Sequence, residues 1–207
     1  MDGNNKGSGE NEDLVKGLLE ANAYPHETGL IQLMETHISW VFLTGQYAYK
    51  VKKPVDFGFL DFSTLDKRKF YCQEELRLNQ RLAKAWYLDV VPITGTSQQP
   101  IIDGTGSAID YTVKMQQFPT SKTLKELAEN GKLSAEVIDQ IAQIIADFHA
   151  GIDKAAPRSP YGGSQEIKHW FDENFHHIRP LLDDKQSLFQ LETIANWGNK
   201  EWQEKSP

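Results

Sequence analysis

Three side chains here have the clearest capacity for chemistry: the amine of Lys50 and the carboxylates of Glu74 and Glu75. An ammonium held by a carboxylate in a partly dry place is a fixed positive charge, suited to gripping phosphate oxygens. Lys50 lies in Tyr47-Ala48-Tyr49-Lys50-Val51-Lys52, where Tyr47, Tyr49 and Val51 alternate with Ala48, Lys50 and Lys52. A period of two places Ala48 and Lys50 on one face of a strand, with Lys52 beyond them. A small residue two positions before a lysine suits the roofing of a flat purine ring beside its phosphates. An isolated lysine is most often simply solvated. Here a loop precedes it, and a helix carrying acidic residues follows.

The elements that must hold these groups come next. Trp40, Phe42 and Thr44 alternate with Val41 and Leu43, so Ser39-Trp40-Val41-Phe42-Leu43 forms a hairpin with the lysine strand, and Gly45 frees the turn. Leu30 to Glu35 reads as an earlier strand, and Thr36 to Ser39 as the loop between them. Ser63-Thr64-Leu65-Asp66 fits a capping box. A helix then runs from about Leu65 to Ala83, with Tyr71, Leu78 and Leu82 as its apolar stripe. Glu75 falls inside that stripe and needs a cation, because a lone buried carboxylate costs roughly 2 kcal/mol or more. Lys50 is the first candidate partner for Glu75. Glu74 is the second choice of acid, and both glutamates could instead pair in solvent with Arg77 or Arg81.

Beyond the helix, Leu88 to Ile93 is a short strand. Pro100-Ile101-Ile102 and Ala108 to Met115 flank Asp103-Gly104-Thr105-Gly106, which reads as a hairpin turn. The first half thus supplies about five strands and one long helix. Gln116-Gln117-Phe118-Pro119 breaks the pattern, and a helical half follows. Val137, Ile138, Ile141, Ile144, Ile145 and Phe148 form a broad apolar helix face. His149 at its end reads as structural. A later helix carries Ile167, Trp170, Phe171, Phe175 and Ile178, with His169, His176 and His177 lacking the cysteine or carboxylate company of a metal site. Leu188 to Trp197 is one more amphipathic helix.

The chain has 207 residues, 39% hydrophobic and 25% charged, with a net charge of −7. That balance fits a globular domain or two small lobes and argues against a general nucleic-acid binder. A lone cysteine, Cys72, excludes an internal disulfide and points to a reducing compartment. With no apolar stretch of membrane-spanning length and no signal-peptide core, the expected location is cytoplasmic. Residues 1–13, rich in Gly, Asn, Glu and Ser, are expected to be a disordered tail. The expected domains are 14–118 and 119–207. Asp56-Phe57-Gly58 repeats a magnesium-binding triplet, but it follows directly on the lysine strand instead of a catalytic loop, so it reads as an aromatic connector.

The order of strand, short loop, hairpin ending in Ala-x-Lys, glutamate helix, further strands, and Met115-Gln116-Gln117-Phe118-Pro119 resembles the small lobe of the aminoglycoside phosphotransferase-like branch of the protein-kinase fold. Thr36-His37-Ile38-Ser39-Trp40-Val41-Phe42, Tyr49-Lys50-Val51-Lys52-Lys53-Pro54, Phe57-Gly58-Phe59-Leu60-Asp61-Phe62-Ser63 and Glu75-Leu76-Arg77-Leu78-Asn79 are similar to an uncharacterised bacterial family of that branch. Its longer members often carry a P-loop ATPase-type domain downstream. The resemblance implies an α+β, protein-kinase-like fold: a five-stranded antiparallel lobe with one long helix, then an incomplete helical lobe.

It also implies roles. Lys50 would hold the α and β phosphates of ATP, and Glu75 would orient Lys50. The backbone of Thr36, His37, Ile38 and Ser39, with the Ser39 hydroxyl, would cover the phosphates. Ala48 would lie over the adenine, Met115 at the back of the pocket, and the backbone of Gln116 and Phe118 along the adenine edge. The reaction implied is transfer of the γ-phosphate to a small-molecule hydroxyl.

One family feature is missing. The branch uses a His-Gly-Asp-x-His-x-x-Asn loop, whose Asp is the general base and whose Asn binds magnesium; residues 120–207 contain neither it nor the later metal-binding Asp. His149-Ala150-Gly151-Ile152-Asp153 falls too early. The expectation is therefore a chain cut before its catalytic loop and inactive as it stands, with no magnesium ligands of its own. A non-catalytic nucleotide-binding or protein-interaction module, or a structural fragment without a ligand, are the alternatives. An incomplete helical lobe would leave Trp170, Phe171 and Phe175 available for self-association.

Overall fold

The computed structural model describes residues 6–156, 159 and 161–205. Contacts divide the chain into two units, Met1–Ile141 and Ala142–Pro207, and the division falls inside a helix. The sequence boundary at 118/119 marks where strands give way to helices.

Unit one is built on a six-stranded antiparallel sheet of order β1-β2-β3-β6-β4-β5. Its strands are β1 (Gln32–Glu35), β2 (Ser39–Leu43), β3 (Tyr47–Lys52), β4 (Tyr87–Gly95), β5 (Pro100–Ile102) and β6 (Asp110–Gln116). The sheet thus has six strands where about five were expected. Helix α1 covers Lys6–Gly17 and so begins within the stretch read as a disordered tail; residues 1–5 lie outside the described residues. Leu14 and Leu18 are the reason it docks, since both are buried in the core.

The β2–β3 hairpin follows the predicted alternation. The Thr44 amide and hydroxyl both donate to the Tyr47 carbonyl, and Gly45 takes φ +98°, a region costly for any residue with a Cβ. Register then fixes the faces, because directly opposed residues of an antiparallel pair share a side. Tyr49 opposes Phe42 and Val51 opposes Trp40, all on the core side, where Leu14, Leu18, Ala23, Tyr24, Val91, Ile93 and Ile102 close over them. Each large side chain fully buried there contributes about 1.5–3 kcal/mol. Lys50 opposes Val41 and Lys52 opposes Ser39, both on the other face.

Helix α2 (Leu65–Ala83) packs on β6 and β4. Its cap is Thr64, whose hydroxyl accepts from the Lys67 amide, one residue later than the capping box suggested. The expected apolar stripe is also displaced. Tyr71, Leu78 and Leu82 are exposed, while Arg68 and Cys72 are buried and Glu75 is nearly so. Spacings of four and three put Arg68, Cys72 and Glu75 on one ridge. That ridge meets the sheet because its polar members find partners there.

The predicted hairpin across Asp103-Gly104-Thr105-Gly106 does not form. β5 pairs with β4 instead, around Thr96–Gln99, and β4 also pairs with β6, so β4 lies between the two strands expected to be neighbours. β4 spans nine residues, long enough for its end to serve β5 while the rest serves β6. The connecting loop crosses close above it: the Asp103 amide donates to the Pro92 carbonyl, and a Cβ on Gly104 would sit 2.2 Å from Thr94 Oγ1.

After β6 come α3 (Leu124–Glu129) and α4 (Ala135–Gly151), the helix in which the two units divide. Unit two contains α5 (Ser164–Ile178) and α6 (Lys185–Lys205). Gly198 of α6 lets the Phe171 ring approach its backbone. Much of the apolar surface of this unit is open: Trp170 is 54% exposed and Trp197 63%, while Phe171 and Phe175 are half-buried against each other. No helix of the described residues is long and apolar enough to cross a membrane.

Candidate functional site

The face of β3 that carries Lys50 meets the polar ridge of α2. Lys50 Nζ donates to Glu75 Oε1 at 2.7 Å, and Lys52 Nζ donates to Glu75 Oε2, also at 2.7 Å. One carboxylate is therefore shared by two ammoniums, one on each oxygen. Side-chain exposure grades the three groups: Lys50 27%, Glu75 13% and Lys52 5%. Burial by itself would raise the Glu75 pKa, but the hydrogen bonds from Lys50 and Lys52 outweigh it and hold the carboxyl below its ordinary value. The cluster thus carries a net charge of +1, with the free side of that charge at Lys50.

The expected pairing of Lys50 with Glu75 is present. Glu74 points elsewhere and is clamped by Arg77, whose Nη2 lies 2.6 Å from Glu74 Oε2. Ala48 is buried next to Lys50 on the same face, and it opposes Leu43 on β2 and Met115 on β6. Met115 is half-buried and in turn opposes Tyr87. Cys72 lies close enough to feel both lysines, yet burial pushes its thiol up to about 12, so it is neutral and inert. Burial and the Glu75 charge likewise raise the Tyr87 phenol, so it stays protonated near the cluster.

The Thr36–Ser39 loop is a closed turn. The Thr36 amide donates to the Ser39 carbonyl at 2.9 Å, and the Ser39 and Ile38 amides donate to Thr36 Oγ1 at 3.0 and 3.4 Å. The Ile38 carbonyl accepts from the Lys53 amide. Those groups are engaged within the loop and its neighbour, while His37 is exposed. Ser39 is fully buried and its hydroxyl has no hydrogen-bond partner, so it is not presented at the outer surface of the turn. An open groove of about 710 Å³ lies between this turn and Phe57 and Phe59, which are exposed. Phe57 and Phe59 of the connector thus stand exposed, whereas Phe62 at its end is buried.

At the other end of the sheet, the Gln116 amide donates to the Trp86 carbonyl at 2.8 Å, so this amide, expected along the adenine edge, is already engaged. Phe118 follows β6, half-exposed, its ring edge-on to Trp86 at 5.3 Å.

Two features of the site were not read from the sequence. Lys52 is a full partner of Glu75. Arg68, one helical turn before Cys72, is the other: its Nε reaches both oxygens of buried Asp110 at 2.9 and 3.0 Å, and its Nη1 donates to the Phe62 carbonyl at 3.1 Å. This pair ties α2 to the start of β6 and so fixes where Glu75 falls. The described residues contain no group of three or more His, Cys, Asp or Glu side chains placed to hold a metal ion.

No family model and no solved structure matches the chain. It is 29% identical over 153 residues to uncharacterised proteins of Mycobacterium tuberculosis (strain H37Rv) and Mycobacterium bovis, an alignment covering 74% of this chain. The chain spans about 29% of the length of those curated relatives.

Proposed function

We propose that unit one binds the phosphates of a nucleoside triphosphate, ATP in the first instance, on Lys50. On this reading it is the nucleotide-binding part of an aminoglycoside phosphotransferase-like kinase whose chemistry is γ-phosphate transfer to a small-molecule hydroxyl. The observation that carries the proposal is the 2.7 Å contact between Lys50 Nζ and Glu75 Oε1, with Lys50 the most exposed member of a cluster of net charge +1. A partly dry excess cation next to a small residue, Ala48, suits a polyphosphate with a flat ring beside it. The sheet order supports the kinase-like reading: three strands in succession, the glutamate helix after the lysine strand, then β6 returning beside β3.

Lys50 would neutralise phosphate charge, and Glu75 would aim its amine. Met115 and the Gln116 carbonyl would border the base. Magnesium accompanies ATP in this chemistry, but no acidic cluster among the described residues suits it, so no step is assigned to the metal. Nor do the 207 residues contain the Asp-bearing catalytic motif, so binding, not transfer, is the activity proposed for this chain.

A second reading, a protein-interaction module, is favoured by one observation in unit two. Ile167, Phe171, Trp197 and Trp202 line an apolar groove of about 410 Å³ between α5 and α6.

Titration of a fluorescent ATP analogue into wild type and Lys50→Ala separates these readings. Saturable binding is expected for wild type, with a loss of roughly tenfold or more in the variant, the value of one charge-assisted hydrogen bond. Equal binding by both proteins, or none by wild type, would remove the nucleotide site and leave the interaction reading.

A further inference from the structure

Glu75 has more positive charge around it than one carboxylate needs. Lys50 occupies Oε1 and Lys52 occupies Oε2. The two lysines differ in access to solvent: the Lys52 side chain is 5% exposed and the Lys50 side chain 27%. Around Lys52 lie the Phe62 ring, 4.9 Å from its ammonium, and Ser39 across the strand pair, both buried. An incoming anion therefore reaches Lys50 and not Lys52.

Suppose Glu75 had Lys50 alone. A phosphate that drew Lys50 away would strip a largely buried carboxylate of its cation, and that desolvation cost would oppose binding. The same ammonium would also be shared between two anions. With Lys52 on the second oxygen, the charges sort into two pairs: Lys52 with Glu75, and Lys50 with the ligand.

We propose that Lys52 is a positioning residue of this site: by neutralising Glu75 through Oε2, it releases Lys50 to engage a ligand phosphate. The inference rests on the nucleotide reading given above. It requires that Lys52 act through Glu75 without touching the ligand, so its effect must vanish when the carboxylate is gone.

The test is a double-mutant cycle on the full 207-residue chain, with the affinity for a fluorescent ATP analogue as readout. Lys52→Met is expected to weaken binding roughly tenfold in the wild-type background. In the Glu75→Gln background the same substitution is expected to change affinity less than about twofold, within the additivity error of independent sites. Thermal melting of each protein monitors folding. If Lys52→Met alone does not fold, the pair Glu75→Gln and Glu75→Gln/Lys52→Met still decides. Equal affinities within that pair support the proposal. A second tenfold loss in the double variant would mean that Lys52 meets the ligand directly, and would overturn it. Unchanged binding in Lys52→Met, with Lys50→Ala impaired, would also overturn it while leaving the nucleotide site standing. Failure of wild type to bind would instead remove the underlying reading.

Discussion

Lys50 and Glu75, on different elements and far apart in sequence, meet at 2.7 Å on the face of the sheet opposite the hydrophobic core. The pair is largely buried, and Lys52 completes it from below. Removing the carboxylate leaves two ammoniums in a poorly hydrated place. Glu75→Gln is expected to destabilise unit one by about 3 kcal/mol. Urea unfolding followed by tryptophan fluorescence measures it; a change within 0.5 kcal/mol, the ordinary range for surface sites, would place the cluster in solvent.

The Glu75 contribution should depend on pH with a definite sign. Its folded pKa is depressed, so the native state binds the Glu75 proton less readily than the unfolded state does. The stabilisation is present above the ordinary carboxylate range and is lost as pH falls through the folded value. The stability gap between wild type and Glu75→Gln should therefore shrink on going from pH 7 to pH 3. A gap that widened on acidification would contradict the assignment.

The Arg68–Asp110 pair anchors the helix that presents Glu75. Burial raises the Asp110 carboxyl, and Arg68 opposes that rise. Arg68→Met leaves a buried carboxylate with its main cation gone and should cost about 3–5 kcal/mol. The double change Arg68→Met/Asp110→Leu should recover much of the loss, because it removes both charges together. A double variant no more stable than Arg68→Met would show that the pair is not what secures the helix.

Much of this was readable in the chain. The alternation from Tyr47 to Lys52 fixed the face of Lys50, whereas Glu75 stood out only as an acid on a Tyr71, Leu78 and Leu82 stripe that is exposed in the structure. That same alternation places Lys52 beside Lys50, but a lysine at the end of a strand reads as solvated unless a second oxygen is known to await it. The α2 ridge was misread because apolar Tyr71, Leu78 and Leu82 outweighed charged Arg68, whose partner Asp110 lies across the chain on β6. The signal was there in the spacing of Arg68, Cys72 and Glu75. Strand pairing failed for β5 because Asp103 to Gly106 has the stronger turn chemistry, whereas length and packing gave the partnership to β4.

The crossing of the Asp103–Gly106 loop over β4 gives a further check. A Cβ at Gly104 would meet Thr94 Oγ1 at 2.2 Å and Ile101 Cγ2 at 2.9 Å, both on short, branched side chains. Gly104→Ala should cost about 1–3 kcal/mol in unfolding experiments. Gly29→Ala, with nothing within 4 Å of its added carbon, should stay within about 0.5 kcal/mol. Equal effects at the two sites would rule out the close crossing.

The most direct measurement is lysine side-chain NMR on the 207-residue chain during an ATP titration, with Lys50→Arg and Lys52→Arg used for assignment. The Lys50 ε signal should move saturably with nucleotide, the Lys52 signal should move little, and both should stay coupled to Glu75 in the free protein. Nucleotide binding with the Lys50 signal unmoved would contradict a phosphate site at this amine.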